Sequence, residues 1–187
     1  QLRGDVRVHG IITDGGKAPN IIPERASCAF YVRAKDLEGL NSVKEKVIKC
    51  AEGAALAAGC GLAVSQSPDW NAPMKDNGAF LGVYKGALDF LGLKVDVCDP
   101  SSNVGSSDIG NVSQVVPAIH PYVPIRPGIN IHTREFAEAT VTPDGHRALM
   151  EGVKCLGLTA IELLFNPRVL EEIKGEFKGV TAVKRDE

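Results

Sequence analysis

Two hydrophobic periodicities alternate along the chain. In Val6–Thr13 the β-branched Val6, Val8, Ile11 and Ile12 predict a strand. In Arg25–Ala34, residues Ala26, Cys28, Phe30 and Val32 fall on one face, and Ser27, Ala29, Tyr31 and Arg33 on the other, which is the period of two of a strand. Between them Asp14-Gly15-Gly16-Lys17-Ala18-Pro19-Asn20 reads as a loop, because glycine allows positive φ and proline cannot donate to a ladder. From Leu37 to Ala58 the period lengthens: Leu40, Val43, Val47, Cys50/Ala51 and Ala54 mark one face of a helix. Asp36 is positioned to cap it and Gly59 to end it. Gly61–Gln66 is predicted as a short strand. Strand, strand, helix, strand are the last four elements of a βαββαβ sandwich.

The remainder reads as a linker, Ser67–Pro73, and then a helix over Asn77–Leu91 with Leu81, Tyr84, Leu88 and Leu91 on one face. Strands are predicted at Lys94–Val97, Val112–Ile119 and Ile129–Ile131, with a loop over Asp99–Gly110. Thr142 caps a long helix with Pro143 in its first turn, and Leu149, Val153, Leu156, Ala160, Leu163 and Leu164 are expected to form its buried stripe. Gly152 and Gly157 lower its intrinsic stability by roughly 1 kcal/mol each and suit close packing against a sheet. Asn166-Pro167 ends it, and a charged helix over Val169–Phe177 follows. No internal repeat is present.

Composition narrows the class. The chain has 187 residues, 44% of them apolar, with 21 Lys+Arg against 23 Asp+Glu. A net charge of −2 gives no basic excess, so a nucleic-acid partner is not expected. Phe30 and Tyr31 lie on opposite strand faces and make no stacking platform for RNA. No stretch reads as a membrane span. The five cysteines (28, 50, 60, 98 and 155) are odd in number and show no CxxC, which points to free, buried thiols in a reducing, cytoplasmic setting rather than a disulfide scaffold. Opening on Gln1, the chain is read as a fragment or a processed product.

Three places carry candidate chemistry. The loop Val104–Asn111 brings Ser106, Ser107 and Asp108 beside an apolar run; it holds neither phosphate-loop pattern, and a plain surface turn is the alternative. His132 follows a β-like run, with Glu135 three residues on. One histidine is not a metal site, and His9, His120 and His146 form no HxH or HExxH with it. Asn20 ends the glycine-rich loop and Arg33 lies near the end of the next strand, where a guanidinium fork suits a carboxylate; a solvated strand arginine is the alternative.

At these places His9–Ala34 (HGIITDGGKAPNIIPERASCAFYVRA), Gly105–Asn111 (GSSDIGN) and Ile129–Phe136 (INIHTREF) resemble the aminoacylase/carboxypeptidase G family of zinc-dependent amidohydrolases. VVPAIHPYVPI and LTAIELLFNPRVLEEI extend the likeness toward its branch of Xaa-Arg (β-alanyl-lysine) dipeptidases and aminobenzoyl-glutamate hydrolases. The resemblance runs along nearly the whole chain. It implies an α/β fold: residues 1–66 as the later part of an inserted ferredoxin-like lid that mediates homodimerisation, 67–165 as the C-terminal part of a zinc-peptidase catalytic domain, and 166–187 as a terminal helix and tail. It implies His132 as one ligand of a one- or two-zinc centre, and Asn20 and Arg33 as lid residues holding the carboxylate of a dipeptide or N-acyl amino acid. Ser106, Ser107 and Asp108 match a loop near the metal, with no role assigned.

The family's other ligands, its catalytic Glu and its lid His have no counterpart here. Glu171-Glu172 sits on a charged helix and reads as a solvated face. The expectation is therefore a dipeptidase of basic C-terminal residues when complete, with aminobenzoyl-glutamate or N-acyl amino acids as alternative substrates. This chain alone is expected to hold no catalytic residue, bind zinc poorly and be inactive. A non-catalytic dimerisation module is the alternative from another class.

Overall fold

The computed structural model describes residues 2–94 and 107–179. They are mostly helical, with one two-stranded antiparallel sheet, so the α/β expectation holds only as a mixed helix-and-strand chain. Two compact units separate: residues 2–75 with 107–114, and residues 76–94 with 115–179.

In the first unit, β1 (Arg7–Asp14) pairs antiparallel with β2 (Ser27–Arg33). The register sets Arg7 opposite Arg33, Val8 opposite Val32, His9 opposite Tyr31 and Gly10 opposite Phe30, and it slips between Ile12 and Asp14. Gly10 is required by its neighbour, since a Cβ there would run into the Phe30 ring. One sheet face packs on α1 (Leu37–Ala58), where Val6, Ala34 and Val43 are buried and Val8, Val32, Leu40 and Val47 join them. The α1 boundaries follow the residues named from the sequence: the Asp36 carboxylate accepts the Gly39 N–H at 2.6 Å, and Gly59 turns left-handed at φ 68°.

Residues 61–66 form no strand among the described residues. A strand requires a ladder partner, and the sheet contains only β1 and β2. Val112–Ile119 is also not a strand: α3 (Ile109–Val115) occupies its first half. The β-branched run suggested a ladder, but polar side chains of α3 are used instead to hold the segment before it. Asn111 Oδ1 accepts the Ala72 N–H and its Nδ2 donates to the Trp70 carbonyl at 3.1 Å; Ser113 Oγ accepts the Lys75 N–H at 2.8 Å; Gln114 donates to the Pro73 carbonyl at 2.7 Å. Gly110 is buried where this strap crosses, and a Cβ there would strike the Ala72 carbonyl. The end of the predicted 99–110 loop is thus helical. The strand expected at Lys94–Val97 lies, beyond Lys94, outside the described residues.

In the second unit α2 (Gly78–Phe90), α4 (Arg134–Thr140) and α6 (Pro167–Phe177) pack against α5 (Pro143–Phe165), and α2 also packs on α6. The expected buried stripe of α5 is not the buried face: Ala148, Cys155 and Thr159 are buried, where α2 and α6 pack, while Leu149, Val153, Leu156 and Leu164 are exposed within this unit. Asn77 caps α2 through the Phe80 N–H at 2.8 Å and donates to the Ile173 carbonyl at 3.0 Å; it is 1% exposed. Ile129–Ile131 is turn and coil, because Thr133 starts α4 there, accepting from the Phe136 N–H at 3.2 Å. Thr142, Pro143 and Asn166 punctuate α5 as their residue types dictate, and Asn166 ends α5 while capping α6.

Candidate functional site

The hairpin positions two of the candidate residues at different points. Asn20 is exposed in the loop that joins β1 to β2. That loop is shaped by the Asp14 carboxylate accepting the Gly16 N–H at 3.0 Å, by Gly16 at φ 99°, and by a turn in which the Ile21 N–H reaches the Ala18 carbonyl at 3.2 Å. Gly15 to Pro19 line a shallow polar hollow of about 300 Å³ beside it. Arg33 is the last residue of β2, half-buried and opposite Arg7, at the end of the ladder away from that connection. At about 3.3 Å per residue, the ladder separating Arg33 from the start of the loop is roughly 20 Å long.

Ser107 and Asp108 open α3. Ser107 Oγ accepts the Ile109 N–H at 3.3 Å and donates to Asp108 Oδ1 at 3.2 Å, and the Asp108 backbone carbonyl accepts from Asn111 and Val112. Both residues thus satisfy the first turn of a short helix. Ser106 lies outside the described residues. The neighbours Gly110, Asn111, Ser113 and Gln114 have a structural task that the sequence reading missed. The signal was a run of polar side chains placed at helical rather than alternating spacing.

His132 belongs to the second unit. It is exposed, in the turn just before α4, and adopts φ 65°, the only positive φ among the described non-glycine residues. A left-handed residue with a Cβ is uncommon and is held here by its neighbours: Thr133 donates to the Asn130 carbonyl at 2.7 Å while capping α4. Glu135, in the first turn of α4, is exposed. Among the described residues no three His, Cys, Asp or Glu side chains are grouped to hold a metal ion. The residues present do not by themselves fit a zinc centre, which takes three or four converging protein ligands.

The other titratable groups are structural. Tyr84 and Cys155 meet between α2 and α5, where burial, and then the Cys155 thiol beside it, push the Tyr84 phenol above its ordinary value. Glu171 and Glu172 form exposed pairs with Lys174 at 2.9 Å and Arg168 at 3.3 Å, as a solvated face should. The hydrogen bond from Lys174, and then its charge, lowers the Glu171 carboxyl. The four described cysteines are unpaired, but only Cys155 is buried as expected; Cys28, Cys50 and Cys60 are exposed. No described helix is long and apolar enough to cross a membrane. A groove of about 510 Å³ in the second unit is lined by Val123, Ile125, Phe136, Leu149, Val153 and Leu156.

The hairpin with its glycine-rich loop, the Ser-Asp helix start and the histidine turn coincide with the segments that resemble the amidohydrolases. The chain is homologous to a dipeptidase and to a hydrolase subunit. It is 35% identical to human Xaa-Arg dipeptidase over 189 residues, and 36% identical to the mouse protein over 188. It is 23% identical over 230 residues to one of the subunits of p-aminobenzoyl-glutamate hydrolase from Escherichia coli K12. These matches take in 95%, 95% and 94% of this chain but 41%, 42% and 48% of the relatives, so the chain spans less than half the length of each. No protein-family model matches it.

Proposed function

We propose that this chain is part of a dipeptidase-like amidohydrolase that acts on small dipeptides with a basic C-terminal residue. The observation that carries this reading is the 35% identity to human Xaa-Arg dipeptidase along 95% of the chain. In this reading residues 1–66 are the later part of a ferredoxin-like lid that pairs two protomers. Residues 67–165 are the later part of an α/β catalytic domain, and 166–187 are a terminal helix and tail. The setting is reducing and cytoplasmic, in keeping with exposed free thiols at Cys28, Cys50 and Cys60.

Arg33 presents a planar fork of donors to the free carboxylate of the substrate; Asn20 is read as a neutral donor to the same group, although the ladder sets its loop at the opposite end of the hairpin from Arg33. Holding that end fixes the scissile amide for attack by water, with loss of the amine, and orientation of this kind contributes several kcal/mol to a barrier. The general base lies outside this chain. If the longer polypeptide holds a metal ion, His132 would supply one imidazole to it, the other donors coming from outside this chain. Ser106, Ser107 and Asp108 carry no assigned role in this reading. Hydrolysis of p-aminobenzoyl-glutamate is the second reading, favoured by the likeness to the bacterial hydrolase.

The test uses the longer polypeptide that carries this chain. Dipeptides ending in Lys or Arg are assayed against p-aminobenzoyl-glutamate, in the unchanged protein and in Arg33→Ala. The expected result is faster turnover of the dipeptides and a KM raised at least about tenfold by Arg33→Ala, the loss of one charge-assisted carboxylate contact. Absence of hydrolysis, or unchanged kinetics in Arg33→Ala, rejects the reading.

A further inference from the structure

In the second unit one stretch outside the regular elements has the period of a strand. Over residues 119–126 half-buried and exposed positions alternate without a break. The His120 and Tyr122 rings share the exposed side, with centroids 5.0 Å apart. Val123 and Ile125 share the other side and line the groove on α5. A Cβ at Gly152 would meet Val123 Cγ2 at 3.5 Å, and Arg147 Nη2 donates to the Ile125 carbonyl at 3.0 Å, so α5 holds the stretch at two points.

The peptide groups of this stretch lack a ladder. Among the described residues no backbone–backbone hydrogen bond involves residues 119–125, and the only sheet is β1 with β2, in the other unit. Half-buried N–H and C=O groups need partners. Pro121 and Pro124 supply no N–H, which suits a strand at the margin of a sheet rather than in its middle. Alongside, Leu149, Val153 and Leu156 of α5 are 63%, 52% and 60% exposed and border the groove of about 510 Å³. A strand with unpaired peptide groups beside an apolar helix face is one margin of a helix-on-sheet layer.

We infer that residues 119–126 are a docking edge that takes one β-strand of the longer polypeptide. That strand pairs with this backbone and lays its inward side chains on Leu149, Val153 and Leu156. The occupant belongs to the same polypeptide because the chain covers only 41% of its human relative, so more than half of a protein of that length lies elsewhere. Its side chains toward α5 are apolar, since every residue lining the groove is uncharged. The inference rests on the reading of the chain as part of a longer hydrolase, and on no particular substrate.

The experiment is hydrogen exchange on the longer polypeptide, read by mass spectrometry of peptides spanning residues 117–127. Exchange there is expected to be at least about a hundredfold slower than in an unstructured chain, as paired amides give. Val153→Cys, a change of little volume, tests the helix face: its thiol should react with N-ethylmaleimide at least about a hundredfold more slowly in the folded protein than in urea. Val153→Asp sets a charge beneath the partner strand and should restore fast exchange over residues 117–127; if that variant does not fold, the Val153→Cys rates decide. Fast exchange in the unchanged protein, a Val153→Cys thiol that reacts equally fast folded and unfolded, or full protection in a folded Val153→Asp would overturn the inference. So would protection that disappears on dilution, which would mean that a second copy covers the face. Protected amides in a polypeptide that hydrolyses neither class of substrate would reject the hydrolase reading and leave this inference standing.

Discussion

The carboxylate of Glu176 closes the N-terminus of a helix that begins at Gly78. Its two oxygens accept the Gly78 and Ala79 N–H groups, each at 2.7 Å, across nearly a hundred residues of sequence. A charge at that end opposes the positive pole of α2 and satisfies donors that no residue within the helix can reach. Glu176→Gln keeps the shape and removes the charge. It is expected to lower the stability of the second unit by about 0.5–1 kcal/mol, with a larger loss for Glu176→Ala, read from urea unfolding.

Asn77 serves the same helix start from within. Its Oδ1 caps Phe80 and its Nδ2 satisfies the Ile173 carbonyl in a buried position. Asn77→Ala removes both bonds and strands a buried acceptor, an expected loss of about 2–3 kcal/mol. Asn77→Asp keeps the cap and loses the donor, so it should fall between. Thermal unfolding of the three proteins followed by circular dichroism orders them.

Gly110 governs the strap. A methyl group at that position would displace the Ala72 carbonyl and with it the bonds that Asn111 and Ser113 make to Ala72 and Lys75. Gly110→Ala should speed hydrogen exchange at Ala72 and Lys75 while leaving the β1–β2 amides unchanged. Overpacking of this kind costs about 1–3 kcal/mol. Exchange unchanged at Ala72 would show that the strap is held elsewhere.

Tyr84 sets an alkaline limit. Burial and the neighbouring Cys155 raise its phenol above the ordinary 10.0, so the folded state keeps a proton that the unfolded state gives up. Stability from this group is complete below the unfolded value and is lost as pH rises from there through the folded one. The melting temperature should fall more steeply above pH 10 in the unchanged protein than in Tyr84→Phe, which has no phenol to ionise.

Asn20 and Arg33 offer a test by coupling. If both grip one carboxylate, the double variant in the longer enzyme should lose less binding energy than the two single losses summed; if they act at separate points, the losses should add. Hydrolysis kinetics of the four proteins decide between the two.

What the sequence made legible follows the range of the interactions. The α1 boundaries, the Thr142-Pro143 start and the double duty of Asn166 are local, set by caps within three or four residues, and these were readable. The β1–β2 hairpin was readable from alternation. Helix α3 was not: Val112, Val115 and Val116 carry strand propensity, and helix formation there is tied to side-chain bonds with residues some forty positions earlier. The stretch 61–66 misled for the opposite reason, having strand propensity and no described ladder partner. Of the candidate site, the residues were nameable from motifs, but the Arg7–Arg33 apposition exists only once the register is fixed.

The backbone at His132 has its own consequence. At φ 65° the position tolerates glycine and asparagine far better than valine or isoleucine. An exchange for glycine therefore deletes the ring while leaving the turn into α4 intact, whereas a branched residue disturbs both. The fold thus lets loss of the imidazole be separated from loss of the scaffold, and mutational drift at this position is channelled toward a narrow set of replacements.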